Sequence, residues 1–136
     1  MIERSKNLQS MTFEISKQFR FESAHVLDRA VAAAERDASR RIHGHSYRAE
    51  IVLRGEADPK TGMVVDFGEL ERIVDGARLD LDHHFLNDIA DLGPPTMENL
   101  AAWIWRRISS SCAGLKRVTV HRDSTGEACS YFGPAR

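Results

Sequence analysis

His25, His43 and His45 are the residues of this chain whose type and spacing point most directly to chemistry. The last two stand in the run Ile42-His43-Gly44-His45-Ser46-Tyr47. Alternate residues of a strand project from one face, so His43 and His45 can close on a single metal ion. Gly44 between them carries no side chain and lets the backbone come near the ion or its ligand. His25 ends a second strand-like run, Phe19-Arg20-Phe21-Glu22-Ser23-Ala24-His25, and completes a three-imidazole site if the two strands are neighbours. Three neutral imidazoles suit zinc, and a zinc with three protein ligands keeps a fourth position for water or substrate, as catalytic rather than structural sites do.

The elements that must position these residues can be read from periodicity. Between Phe13 and Phe21 the odd positions Phe13, Ile15, Phe19 and Phe21 are apolar and the even ones polar, with Lys17 as the one break; this is the pattern of a half-buried antiparallel strand. Residues 28–41 are charged and Ala-rich, and hold a helical turn or lie as a loop. A strand follows from about His43 to Leu53, in which Tyr47, Ala49, Ile51 and Leu53 share the parity of the histidines. Asp58-Pro59-Lys60-Thr61-Gly62 is a turn by composition and places Met63 to Phe67 in a return strand. Helical spacing begins after Asp66 and continues to about Leu79, and the polar segment Leu81-Asp82-His83-His84-Phe85-Leu86-Asn87-Asp88 comes next. Thr96 can cap a second helix whose buried stripe is Leu100, Trp103, Ile104 and Ile108, with Glu98 favourable in its first turn. Strands over Leu115–Val120 and Ala128–Phe132 complete an α+β arrangement of one sheet and one helical layer.

Size and charge narrow the function. The 136 residues and 15.3 kDa suit a single domain over residues 11–136, preceded by a polar, disordered tail over residues 1–10. A formal net charge of -1 provides no field for nucleic acid or an anionic membrane surface, and no apolar run approaches a membrane span. Cys112 and Cys129 form no Cys-x-x-Cys pair, and Met1 to Ser10 are too polar for a signal peptide, so a reduced, cytoplasmic protein is expected.

Taken together, Phe21-Glu22-Ser23-Ala24-His25, His43-Gly44-His45-Ser46-Tyr47, Val65-Asp66-Phe67, Leu81-Asp82-His83-His84-x-Leu86-Asn87-Asp88 and Pro95-Thr96-x-Glu98-Asn99 resemble the 6-pyruvoyltetrahydropterin synthase and 6-carboxytetrahydropterin synthase family over roughly residues 12–133. The resemblance implies a tunnelling fold: an antiparallel four-stranded sheet with two helices on one face, closed into an oligomeric barrel as a homotrimer or homohexamer with active sites between subunits. It implies Zn2+ on His25, His43 and His45, proton transfer by Asp82 and His83, and a pterin pocket bordered by Thr96 and Glu98. The implied substrate is 7,8-dihydroneopterin triphosphate. One branch of the family loses triphosphate to give a pyruvoyl product; the other leaves a 6-carboxy group and acetaldehyde, on the way to 7-deazaguanines such as queuosine. The Leu-Asp-His-His-x-Leu-Asn-Asp run is closer to the second branch.

Two positions depart from that pattern. Ser39 stands where the family has its catalytic cysteine, and a serine hydroxyl is a far weaker acid than a thiol. Arg122 stands where the family has a glutamate that accepts two hydrogen bonds from the pterin ring, and a guanidinium has donors only. Asp123 is one residue on and reaches the pocket only if a bulge turns it there; otherwise Arg122 favours a ligand carrying carboxylate or phosphate, or pairs with Glu127 on the surface. The expectation is therefore a zinc-dependent lyase similar to 6-carboxytetrahydropterin synthase. The alternatives are a paralogue performing retro-aldol cleavage or isomerisation of another acidic substrate, and a non-catalytic, metal-containing oligomeric binding protein.

Overall fold

A long two-stranded ladder organises the molecule. In the computed structural model, which describes residues 11–135, β1 (Thr12–His25) and β2 (His43–Glu56) pair antiparallel along their whole length, from Thr12 opposite Glu56 to His25 opposite His43. The tail expected over residues 1–10 lies outside the described residues. Alternation decides which face is covered: Phe21, Tyr47, Ala49, Ile51 and Leu53 are buried on one side, while Glu14, Gln18, Arg20 and Glu22 stand exposed on the other. Lys17 breaks the apolar parity because its ammonium reaches Glu71 of the overlying helix at 3.7 Å.

Helices α2 (Phe67–Leu81) and α3 (Met97–Ile108) pack on the apolar face, with Leu70, Leu81, Leu100 and Ile104 fully buried. Each begins at a side-chain cap: the Asp66 carboxylate accepts the Glu69 N–H at 3.0 Å, and the Thr96 hydroxyl accepts the Asn99 N–H at 3.2 Å. Residues 33–40 form a third helix, α1 (Ala33–Arg40), so the Ala-rich segment is helical over two turns. Beyond it, β4 (Leu115–Arg122) pairs with β2, and β5 (Glu127–Tyr131) pairs with β4, both antiparallel.

The sheet differs from the expected one. It has five strands in the order β3-β1-β2-β4-β5, and it is mixed, because β3 (His84–Phe85) runs parallel to β1. Two residues are too few to show alternation, so this strand is produced by where the segment after α2 is laid down and not by its own pattern. The return strand expected over Met63–Phe67 does not form; Asp66 caps α2 and Phe67 is already its first residue, which leaves no room for an extended run. The preceding turn does form, with Gly62 at φ 73 and its N–H on the Asp58 carbonyl at 2.7 Å.

Register between β2 and β4 shifts at Val52/Leu53, and Gly114 fixes that irregularity. Its carbonyl accepts the Arg54 N–H at 2.8 Å, its φ is 81, and a Cβ there would run into the Arg54 carbonyl. Gly114→Ala is expected to lower unfolding free energy by about 1–3 kcal/mol, a range typical of a strained backbone conformation forced on a residue with a side chain. Gly126→Ala, with similar φ but open space around it, should cost less; denaturant unfolding of both variants checks the order.

Candidate metal centre and substrate pocket

Three imidazoles meet at the end of the β1–β2 ladder on the helix-covered face. His25 faces His43 across the register, and the ring nitrogens of His25, His43 and His45 available as ligands lie within 4.8 Å of one another. Backbone carbonyls fix two of the tautomers. A carbonyl only accepts, so His25 donates Nδ1–H to Pro95 at 3.0 Å and His43 donates Nδ1–H to Arg41 at 2.8 Å. Their Nε2 lone pairs are thereby turned on each other at 2.9 Å, and His45 Nε2 is buried without a protein partner. Three converging imidazoles, two of them with the second nitrogen fixed by a carbonyl, suit a tetrahedral N-donor metal site.

Burial and neighbouring charges favour the neutral forms of His25 and His45. Burial lowers the His45 imidazole to about 4, with Arg122, His25 and His43 adding repulsion. Burial also lowers His25, against the opposing effect of its hydrogen bond to Pro95. Behind the cluster, Tyr47 stacks on Phe21 at 4.9 Å and meets the His45 ring edge-on at 5.7 Å, so packing holds the ring that no carbonyl holds. Gly44 faces away from the cluster. Its missing side chain is explained by the Ser23 carbonyl, which a Cβ would meet at 3.2 Å.

Asp82 and His83 form a second group. The Asp82 carboxylate accepts the Glu22 N–H at 2.8 Å and an Arg78 N–H at 3.0 Å, and its Oδ2 is 3.1 Å from His83 Nδ1. The Glu22 hydrogen bond, with His83 and Arg78, holds this carboxyl below the usual range. His83 has φ 58, a backbone region that costs free energy for a residue with a Cβ, and its N–H is bound to the Glu22 carbonyl at 2.6 Å. Its imidazole is 80% exposed and opens beside Glu22 and Ser46, residues of the polar sheet face. His45 also borders that opening, and among the described residues no hydrogen bond joins Asp82 or His83 to the three histidines.

The remaining site candidates divide between the two faces. Ser39 is buried in α1; its hydroxyl donates to the Glu35 carbonyl at 3.0 Å and accepts from Arg29 at 3.1 Å, and it borders the histidine cavity. Arg122 lies on the histidines' face, lines the cavities on both sides of the cluster and pairs with Glu127 at 3.0 Å. Thr96 and Glu98 line the larger of these, of about 510 Å3, together with His25 and Cys129. Asp123 is on the opposite face, held by Arg48 at 2.9 Å and Arg20 at 3.6 Å. The β4–β5 ladder is regular from Val118 to Arg122, so no bulge there turns Asp123 toward the histidines, and within one chain it stays on the opposite face.

With this geometry in place, comparison with known proteins decides the family. The family model described as 6-pyruvoyl tetrahydropterin synthase matches residues 14–134. The chain belongs to that family. It is 36% identical over 126 residues to 6-carboxy-5,6,7,8-tetrahydropterin synthase of Synechocystis, covering 88% of this chain and 93% of the relative. It is 44% identical over 82 residues to dihydroneopterin monophosphate aldolase of Pyrococcus furiosus, 58% of this chain and 68% of that one. In fold it superposes on Caenorhabditis elegans 6-pyruvoyl tetrahydropterin synthase with a TM-score of 0.79 at 24% identity, covering 93% of this chain and 99% of that one.

Several residues that build this synthase-family site give no signal of their own in the sequence. The Pro95 and Arg41 carbonyls that fix the ring tautomers are backbone atoms. Asn87, whose side chain bonds both Val26 N–H at 2.9 Å and Val26 C=O at 3.2 Å, anchors the loop beside the site and stood in the sequence only as part of a motif. A pH prediction follows from the buried imidazole. His45 binds its proton near pH 4 folded and near 6.5 unfolded, so the unfolded chain takes up protons first as pH falls. Chelator-treated protein should therefore keep full stability above pH 6.5 and lose it progressively toward pH 4, and His45→Gln should flatten that slope in denaturant titrations.

Proposed function

We propose that this protein is a zinc-dependent lyase similar to 6-carboxytetrahydropterin synthase, acting on 7,8-dihydroneopterin triphosphate in the cytoplasm as a homotrimer or homohexamer. The observation that carries the reading is the convergence of three imidazole donors, two of them with their second nitrogens fixed by carbonyls, in a chain matched to the family over residues 14–134. His25, His43 and His45 would hold the ion, which supplies Lewis acidity toward a hydroxyl-bearing substrate side chain. The chain's own groups do the rest. His83 keeps a solvent-facing nitrogen for proton transfer while the ionised Asp82 orients the ring and supports its protonated form. Thr96 and Glu98 border the cavity beside His25 and supply polar contacts for the ring system.

The His83 imidazole is 80% exposed and pairs with Asp82, with no hydrogen bond to its own chain's three histidines among the described residues, and this supports active sites completed by a neighbouring subunit, as the family resemblance implies. His43→Ala and His83→Ala should each abolish turnover, yet mixing the two denatured variants and refolding them together should restore activity in about one site in four by random assortment in a closed ring. Light scattering should give a trimer or hexamer. No recovery on mixing would place the pair and the metal centre in the same chain's site or outside the reaction.

A second reading is favoured by the aldolase relative and by the Ser39 side chain: retro-aldol cleavage of a phosphorylated pterin. Ser39 has its hydroxyl proton committed to Glu35 and a lone pair to Arg29, so it does not stand free to accept a proton. Mass spectrometry of the products separates the readings, since the carboxy branch releases acetaldehyde and the aldol branch a phosphorylated aldehyde. Ser39→Cys should raise formation of the carboxy product by up to about 10² to 10⁴-fold if a placed proton acceptor is all that is missing. Pterin binding without any turnover would favour the non-catalytic binding protein.

A further inference from the structure

Two guanidinium groups border the histidine cluster from different elements. Arg122 ends β4 and Arg29 lies ahead of α1, and both line one cavity of about 380 Å3 whose wall includes His43, His45 and Ser39. A fixed cation beside three metal-donor nitrogens works against binding another cation, and Arg122 already repels the protonated forms of His25 and His45. Such a group belongs in the site only if an anion enters with it.

Glu127 lines the same cavity and supplies one carboxylate, which meets the two guanidiniums only in part. Arg122 donates Nη2 to Glu127 at 3.0 Å, but Glu127 is 53% exposed while Arg122 is only 17% exposed, so water screens the carboxylate more than the guanidinium. Arg122 Nε–H is buried without a protein partner. Arg29 makes a bond of 3.1 Å to Ser39 and a loose one of 3.4 Å to Glu35, itself 64% exposed. Asp123, the nearest carboxylate in sequence, is bound to Arg48 on the other face. We infer that Arg122 and Arg29 form an anion clamp beside the metal centre, and that the substrate presents a phosphate or carboxylate to this cavity within reach of the three histidines.

The inference rests on the histidine cluster being the substrate-binding metal site, and it adds a specificity: recognition at the end of β4 is of a negative group by donors. A neutral ring edge that offers N–H donors would meet Arg122 with no acceptor. Guanidiniums suit phosphate through two parallel charge-assisted bonds, which an ammonium cannot copy.

The test is titration of full-length, zinc-loaded protein with inorganic phosphate, and separately with acetate, by calorimetry and by the Nε–H resonances of arginine. Phosphate should saturate and shift the Arg122 resonance. Arg122→Gln and Arg29→Gln should each weaken phosphate about tenfold or more, the worth of a charge-assisted contact, while Arg72→Gln on the outer surface of α2 leaves it unchanged. Zinc content and circular dichroism check that the variants are folded; Arg122→Lys, which keeps charge and loses the fork, should fall between wild type and Arg122→Gln. Equal phosphate affinity in wild type, Arg122→Gln and Arg29→Gln would overturn the clamp, even if dihydroneopterin triphosphate is turned over. Arginine-dependent phosphate binding without pterin turnover would leave the clamp standing and remove the proposed reaction.

Discussion

The register of one antiparallel ladder is the constraint on which the site depends. Because β1 and β2 pair without interruption over fourteen residues each, His25 is set opposite His43, and His45 follows on the same face two residues later. A slip of one residue would turn His43 and His45 to the polar face and bring Gly44 toward His25. The burial of Tyr47, Ala49 and Ile51 on the same strand forbids that slip, since the same shift would put all three into water. The apolar core therefore specifies the three-histidine cluster indirectly, by making a register of the other parity expensive.

Around this ladder the chain uses backbone groups to hold chemical side chains. Pro95 and Arg41 carbonyls orient two imidazoles, and the Glu22 N–H and C=O hold Asp82 and His83 at the outer edge of β1. Ser23 adds a hydroxyl bond to the Leu81 carbonyl at 2.6 Å, which ties the end of α2 to the same strand. Glu22 and Ser23 thus serve the two sides of the sheet from adjacent positions, as the two-residue period requires. The strained φ of His83 persists because its amide, its neighbour's carboxylate and the short parallel pairing of His84 with Ser23 all fix the same conformation.

Much of this was legible in the residues. Strong alternation marked β1 and β2, apolar spacing after Asp66 and the cap at Thr96 marked the two long helices, and the parity of His43 and His45 with Tyr47 put the candidate donors on the buried face. What escaped was set by tertiary context. The strand His84–Phe85 owes its existence to its position along β1, and the Met63–Phe67 segment lost its extended form to the cap at Asp66. The placement of Asp123 was open in the sequence because it turned on one possible bulge; the regular β4–β5 ladder directs it to Arg48 and leaves Arg122 beside the histidines. Ser39 showed only its type in the sequence, whereas its burial and its bonds to Glu35 and Arg29 depend on α1 forming.

The proposed chemistry depends on His25, His43 and His45 sharing one ion. Zinc K-edge X-ray absorption on purified protein, together with elemental analysis, tests this most directly. The expected result is about one zinc per chain with three imidazole nitrogens at about 2.0–2.1 Å and one light-atom ligand besides, and loss of that signal in His43→Ala. Equal zinc content in wild type and His43→Ala, or a first shell containing sulfur from Cys112 or Cys129, would contradict it.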